Sequence, residues 1–236
     1  MGEHDNSIPD PSLEALARSF FKETVHYGFT RLDYLRFVNH ILELSLRNGL
    51  SGGKPHEVRV DYHAPSPVEL PLTGDKVHVR KYDEEKDRLL FEAWMADDEG
   101  RYFLLSRVTA CPVNIEQFLT AEENILGTIT LQDGTPIGMV AFLDVDRAQR
   151  KAELRKMIGE PSSRGKGFAK EATQLWLRYG VTTLGLKKIY VNTLDNNFRN
   201  IHLNENLGFK VEGLLRSECL FNGEYHDILR MALVVE

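Results

Sequence analysis

The stretch between Ile125 and Leu194 constrains the fold most. "ILGTITLQDGTPIGMVAFLDVD" reads as two strands joined at Asp133-Gly134, the strongest short-range hairpin signal in the chain. "AELRKMIG" continues as a strand from Ala152 to about Gly159. "SSRGKGFAKEATQLW" then sets two glycines ahead of a helix whose Phe168, Ala172, Leu175, Trp176 and Tyr179 share one face. "KKIYVNTL" is again a strand, Asn200 to Leu207 a short helix closed by Gly208, and two strands around Asn222-Gly223 finish the pattern. A hairpin followed by strand, helix, strand, helix and two strands predicts a mixed α/β domain. Upstream, "VHVRKY" predicts a strand from Val77, Asp83 or Glu84 opens a helix through Met95, and a further helix is expected near Asn114 to Glu123.

The first 73 residues follow a different pattern. Ser12 caps "LEALARSFFKETVHY", apolar at Leu13, Leu16, Ala17, Phe20 and Phe21. From Thr30 a second helical stripe runs through Leu32, Leu35, Val38, Leu42 and Leu46 to the stop at Asn48-Gly49. Residues 51–73, with Gly52, Gly53 and four prolines around a short strand at Val58 to Tyr62, read as a linker. The expected organisation is a helical extension with its linker (residues 1–73) and a larger domain (residues 74–236). Helices this apolar need a partner, either the rest of the chain or a second copy, so a homodimer through them is one of two expectations.

Composition narrows the partners. The chain has 236 residues, a formal charge of −6 and no concentrated Lys/Arg block, which argues against a nucleic-acid footprint. No run of about 18 apolar residues predicts a membrane span. The polar start predicts no secretory leader, and Asn6 replaces the hydroxyl residue that myristoylation requires. Cys111 and Cys219 form no metal or redox cluster, so a reducing cytoplasmic setting and no bound metal are expected.

The glycine turn at Arg164 to Ala169 opens a helix after a strand, and such a turn holds phosphate. Backbone N–H groups at a helix start lack intrahelical partners, and glycine lets an anion approach the backbone. The spacing excludes a GxxxxGK(S/T) loop, and Ala169-Lys170 breaks the dinucleotide GxGxxG pattern. Arg164-x-x-Gly167-x-Ala169 resembles the (R/Q)xxGx(G/A) turn of the GNAT superfamily of acetyl-CoA-dependent N-acetyltransferases. Downstream, Asn197, Ile201, Leu203, Glu205, Leu207, Gly208 and Phe209 resemble that family's second segment, and the likeness spans about Val77 to Val235.

The resemblance implies a mostly antiparallel central sheet, flanked by helices and splayed between the strands ending near Gly159 and beginning near Lys188. Pantetheine of acetyl-CoA is expected on the main chain of Met157, Ile158 and Gly159. Its pyrophosphate is expected on Arg164, Gly165, Lys166, Gly167, Phe168 and Ala169, with Asn197 reaching it from the next helix. The implied activity is direct acetyl transfer from the thioester to a primary amine. "RGKGFAKEA", "NENLGF" and "NGEYHDI" point to the branch acting on nucleotide-linked amino sugars and ribosomal-protein N-termini, and a small-molecule acceptor such as an amino sugar is expected. A protein α-amine or lysine, or a non-catalytic acyl-CoA-binding module, are the alternatives.

A lysine-type amine has a pKa near 10.4, so neutralising it at pH 7 costs roughly 4 kcal/mol and a general base helps. Glu153, at the start of the splayed strand, is the candidate base, with a salt bridge to Arg155 as its structural alternative. His202 and His226 are weaker candidates, and Asp227 is expected to be structural or substrate-facing. Asn204 departs from the family pattern, which places there a Tyr that reprotonates the leaving thiolate. An amide can only hydrogen-bond, so Asn204 is expected to be a cofactor ligand and the acid is left open.

Overall fold

The computed structural model describes residues 17, 18, 20–22, 24–47, 66–96, 115–194, 197–221 and 223–235. The expected strand at 58–62 and the helix start at Ser12 lie outside the described residues. The chain divides into two compact units, Met1–Glu57 and Val58–Glu236.

In the first unit, α1 (Arg31–Arg47) begins where Thr30 and Asp33 cap each other. The Asp33 carboxylate accepts from the Thr30 amide at 2.8 Å and its hydroxyl at 2.6 Å. Helical residues just before it pack back through aromatic rings. Phe20 stacks on Phe37 with centroids 4.4 Å apart, and the Thr24 and Tyr34 hydroxyls bond at 2.6 Å. Val25, Val38 and Ile41 stay exposed.

The second unit is built on one eight-stranded sheet of order β1-β2-β3-β4-β5-β6-β8-β7. Its strands are β1 (Leu72–Thr73), β2 (Val77–Lys81), β3 (Ile125–Leu131), β4 (Pro136–Asp146), β5 (Lys151–Ile158), β6 (Lys188–Leu194), β7 (Lys210–Phe221) and β8 (Glu224–Val234). Every neighbouring pair is antiparallel except β5 and β6. The expected hairpin at Asp133-Gly134 is β3–β4, with the Leu131 amide bonded to the Thr135 carbonyl at 2.9 Å. The helices are α2 (Glu84–Ala96), α3 (Ile115–Thr120), α4 (Phe168–Thr182) and α5 (Phe198–Glu205).

Strand alternation assigns the two faces of the sheet. Met139, Ala141, Leu143 and Met157 join Phe91 and Trp94 of α2 and Phe118 of α3 in one buried cluster. On the other face Phe142 stacks against Trp176 of α4 at 5.4 Å, both rings fully buried. Two polar clamps fasten these layers. Asp87 of α2, 1% exposed, takes a bidentate bond from Arg80 (2.6 and 2.6 Å), one from Thr128 (2.7 Å) and one from the Asp83 amide (2.9 Å). Glu171 of α4 accepts from the amides of Lys76 (2.8 Å) and Val77 (3.4 Å), tying the β1–β2 turn to the start of that helix.

Candidate active site

β5 and β6 pair only through Lys151–Lys188, Ala152–Ile189 and Glu153–Tyr190. Beyond that, β5 stays with β4 as far as Ile158–Gly138, and β6 stays with β8 as far as Leu194–Ile228. The two halves of the sheet therefore part as a wedge with its apex at Glu153. The sheet is mixed, mostly antiparallel and splayed at the expected pair of strands.

One face of the wedge carries a buried polar network. Glu153 is 3% and Arg155 5% exposed, and their side chains meet at 2.6 Å. Asn192 of β6 donates to Glu153 at 3.0 Å, and its own carbonyl accepts from Arg155 at 3.0 Å. Arg230 of β8 reaches the Asn192 side-chain oxygen at 3.0 Å while lying over the Tyr190 ring at 5.0 Å. The Arg155–Asn192 bond crosses the wedge just past the last ladder pair, so a guanidinium spans the gap where the strands have become too far apart to pair.

Lys156 lies on the opposite face. It is two residues from Leu154, whose cross-strand partner Phe142 packs on α4. Its ammonium donates to the Asn204 oxygen of α5 at 2.6 Å. Asn204 is fully buried, and its amide nitrogen has no hydrogen-bond partner among the described residues. Lys156 as a whole residue is half-buried, but its ammonium is enclosed. Burial, with the Arg155 charge beside it, pulls its pKa down to about 7.

At the open end, β5 finishes at Ile158 and a short 3₁₀ turn (Pro161–Ser163) leads to Gly165 and Gly167, at φ +76° and +84°. Gly167 caps α4 in the left-handed conformation that glycine adopts without strain. The first intrahelical bonds run from Lys170 and Glu171 to the Gly167 carbonyl, which leaves the preceding amides of the first turn directed outward. The Arg164 guanidinium turns inward and donates to the carbonyls of Ile158 and Gly159, each at 3.0 Å. Lys166 is exposed. A cavity of about 420 Å³ beside the turn is lined by Lys76 and Lys170 as well as Gly167 and Glu171. Gly159 is buried under Trp94, whose ring atoms stand 2.2 Å from where a Cβ would project.

Asn197 caps α5, its oxygen accepting from the Asn200 amide at 3.2 Å. Of the histidine candidates, His202 lies on α5 and His226 on β8. His202 is 78% exposed and 3.8 Å from Glu205, and His226 pairs with Cys219 on β7. Asp227 accepts from the Ser217 amide at 2.8 Å, where Ser217 holds a positive φ in the β7 bulge.

Sequence reasoning missed Lys156, Lys76 and Asn192. The signal for Lys156 was present, because two consecutive cations inside a buried strand require that one of them be enclosed. Lys76 and Asn192 become visible only once α4 and β6 are docked. Among the described residues no cluster of His, Cys, Asp and Glu suits a metal ion, and no helix is long and apolar enough to cross a membrane.

A mixed sheet that parts beside the parallel pair of its described strands, with a glycine turn at the open end, defines the GNAT class of fold. Residues 76–210 match the acetyltransferase (GNAT) domain, and the chain belongs to that family. It is 38% identical over 101 residues to spermidine N(1)-acetyltransferase of Escherichia coli K12, covering 43% of this chain and 54% of that protein. It is 30% identical over 159 residues to human alpha/beta-tubulin-N-acetyltransferase 9, covering 59% and 74%. The crystal structure of Vibrio cholerae spermidine N-acetyltransferase with CoA and spermine aligns with a TM-score of 0.58 at 25% identity, over 68% of this chain and 96% of that one. The chain spans about half the length of the spermidine acetyltransferases it matches in sequence.

Proposed function

We propose that this protein transfers an acetyl group from acetyl-CoA to the primary amine of a small molecule. The observation that carries the reading is the wedge, open between β5 and β6 and ending at a glycine turn whose amides face outward. An extended thioester fits this frame. Among the described residues, the Met157 to Gly159 edge that turns away from β4 has no strand beside it, and the Gly165–Ala169 amides suit a pyrophosphate. Membership of the GNAT family supports the same donor, which supplies an activated acyl carbon.

The chain's own groups prepare the reaction. Arg164 anchors the free end of β5, and the Arg155–Asn192 bond holds the apex at fixed width. Glu153, at that apex, takes the proton as the amine attacks, with its Oε1 oriented by Arg155 and Asn192. A second reading has its own observation. The 2.6 Å pair with Arg155 makes Glu153 a brace, since a carboxylate held by a guanidinium gains a proton only by loosening that pair.

The acceptor is of neutral or anionic body, such as an amino sugar. Two guanidiniums, Arg155 and Arg230, stand on the face that carries the Glu153 carboxylate, which disfavours a multiply charged polyamine there. The buried thiol of Cys219 suits a reducing cytoplasm, and the exposed Val25, Val38 and Ile41 suit pairing of two copies through the first unit. Sedimentation of the full chain tests the pairing, and a monomer at tens of micromolar would remove it.

Thiol release from acetyl-CoA against amino sugars, amino-sugar phosphates, spermidine and N-terminal peptides tests the activity. Turnover is expected on the amino sugars. Tight CoA binding without turnover on any amine would leave a binding module, and absence of CoA binding would overturn the reading. Glu153→Gln is expected to lower kcat by about 10²–10⁴-fold. An unchanged kcat with a lowered melting temperature would make Glu153 a brace.

A further inference from the structure

The pair formed by Lys156 and Asn204 is not used by the acetyl-transfer scheme above. It lies inside the wedge on the α4–α5 face, opposite Glu153. Its two halves are individually unfavourable. The ammonium is enclosed with no carboxylate acting on it among the described groups: along β5 the charge acting on it is Arg155, and α5 offers the uncharged Asn204 amide. The Asn204 amide nitrogen is fully buried without an acceptor among the described residues. A buried donor without an acceptor costs about 1–3 kcal/mol, and an apolar pair of similar shape at these positions would avoid both penalties. Both groups are donors, and both are placed where β5 has left β6. What they lack is an electron-rich atom between the strands.

We propose that Lys156, positioned by Asn204, is the acid that protonates the departing thiolate; this rests on the acetyl-transfer reading. The amine nitrogen bonds to the acyl carbon, the carbon–sulfur bond breaks, and its electron pair passes to sulfur. The sulfur takes a proton from Lys156 Nζ, leaving a neutral amine that is reprotonated from solvent. The amine's own proton leaves on the opposite face, at Glu153. Asn204 Nδ2 donates to the sulfur while charge develops there, and Asn204 Oδ1 keeps the ammonium aimed. Two groups thus do what a single phenol does at the Asn204 position in the family pattern. Enclosure keeps the Lys156 ammonium acidic enough to give up its proton near neutral pH, which a solvated lysine does poorly.

The test uses the full chain and three variants, Lys156→Met, Lys156→Arg and Asn204→Leu, with melting curves confirming the fold of each. In the CoA-free protein, NMR of 13C-methylated lysines is expected to show one ε-amine titrating near neutrality that is missing from Lys156→Met. Turnover is then compared between acetyl-CoA and a thioester analogue whose leaving thiol is made more acidic by fluorine beside sulfur. Lys156→Met and Lys156→Arg are expected to lower kcat on acetyl-CoA by about 10²–10⁴-fold. CoA affinity should change little, and most of the loss should disappear with the acidic leaving group. Asn204→Leu should fall between. Retained kcat in a folded Lys156→Met overturns the assignment, and so does an equal loss on both thioesters, which marks a brace rather than an acid. If the unaltered protein turns over neither thioester, the acetyl-transfer reading fails with it. Turnover by the unaltered protein together with unaffected variants removes the acid alone.

Discussion

Asp87 shows how much can rest on a single carboxylate. Its burial works against the charged form, but the bonds from Arg80, Thr128 and the Asp83 amide outweigh it and hold the pKa below the ordinary aspartate value. A carboxyl whose pKa is lowered by folding contributes stability that is present above its unfolded pKa and lost as pH falls through the folded one. Asp87→Asn is expected to cost about 3–5 kcal/mol at neutral pH, because Arg80 would keep its charge against a neutral amide. The variant's stability should also depend less on pH below about 4. Urea unfolding at pH 7 and pH 3 checks both, and equal losses at the two values would remove the ion pair as the cause. Residue-scale legibility was uneven in a consistent way. Glycines could be read because they act on their own backbone, as Gly167 and Gly208 do, whereas Asn197, expected as a cofactor ligand, also serves as the cap of α5. The Asp87 clamp could not be read whole, because Thr128, which completes it, lies 41 residues away; Lys156 carried a local signal for enclosure, but its partner Asn204 lies 48 residues away.

At the scale of elements, the hairpin, β5, α4 and α5 fall close to where periodicity and turn chemistry place them, since each is specified by local signals. The splay was known only through family likeness. No local pattern states where a ladder stops, and the stop after Glu153–Tyr190 goes with long-range docking of β6 on β8 and of α5 on β6 through Asn200 and Thr193. The Arg164 side chain differs in use from a simple phosphate cation: it bonds the carbonyls that end β5, which makes it a link between strand and turn. The turn itself yields a prediction. Gly167 sits at φ +84° with open space around it, the nearest atom to a new Cβ being Lys76 Nζ at 3.9 Å. Gly167→Ala should therefore cost only the conformational strain, about 1–2 kcal/mol, without a steric clash. Any relaxation of that strain redirects the amides of the turn, so CoA affinity is expected to fall at least tenfold while the melting temperature drops by a few degrees. Isothermal titration beside a melting curve checks this. Unchanged affinity would move the pyrophosphate off the turn.

At the scale of the whole molecule, three parallel residue pairs form the ladder that, among the described residues, joins the β1–β5 half of the sheet to the β6–β8 half. The Arg155–Asn192 and Lys156–Asn204 bonds and the α4 crossover supplement that seam. A thioester lying in the wedge would touch β5, the glycine turn and α5 together, so its binding energy enters where the fold is least tied. Linkage then gives the size of the effect. At a concentration 100 times Kd, a ligand that binds only the native state adds about 2.7 kcal/mol of stability. CoA is expected to raise the melting temperature accordingly. Slowed amide exchange should concentrate in three segments, Met157–Gly159, Gly165–Ala169 and Asn197–Asn204, rather than spread evenly over the sheet. The β3–β4 hairpin, paired along nearly its full length, should change little. Stabilisation without protection in those segments would place the ligand elsewhere on the chain. Protection in the glycine turn alone would mean that CoA docks its phosphates without its thiol entering the wedge, and would separate a phosphate-binding surface from an active site.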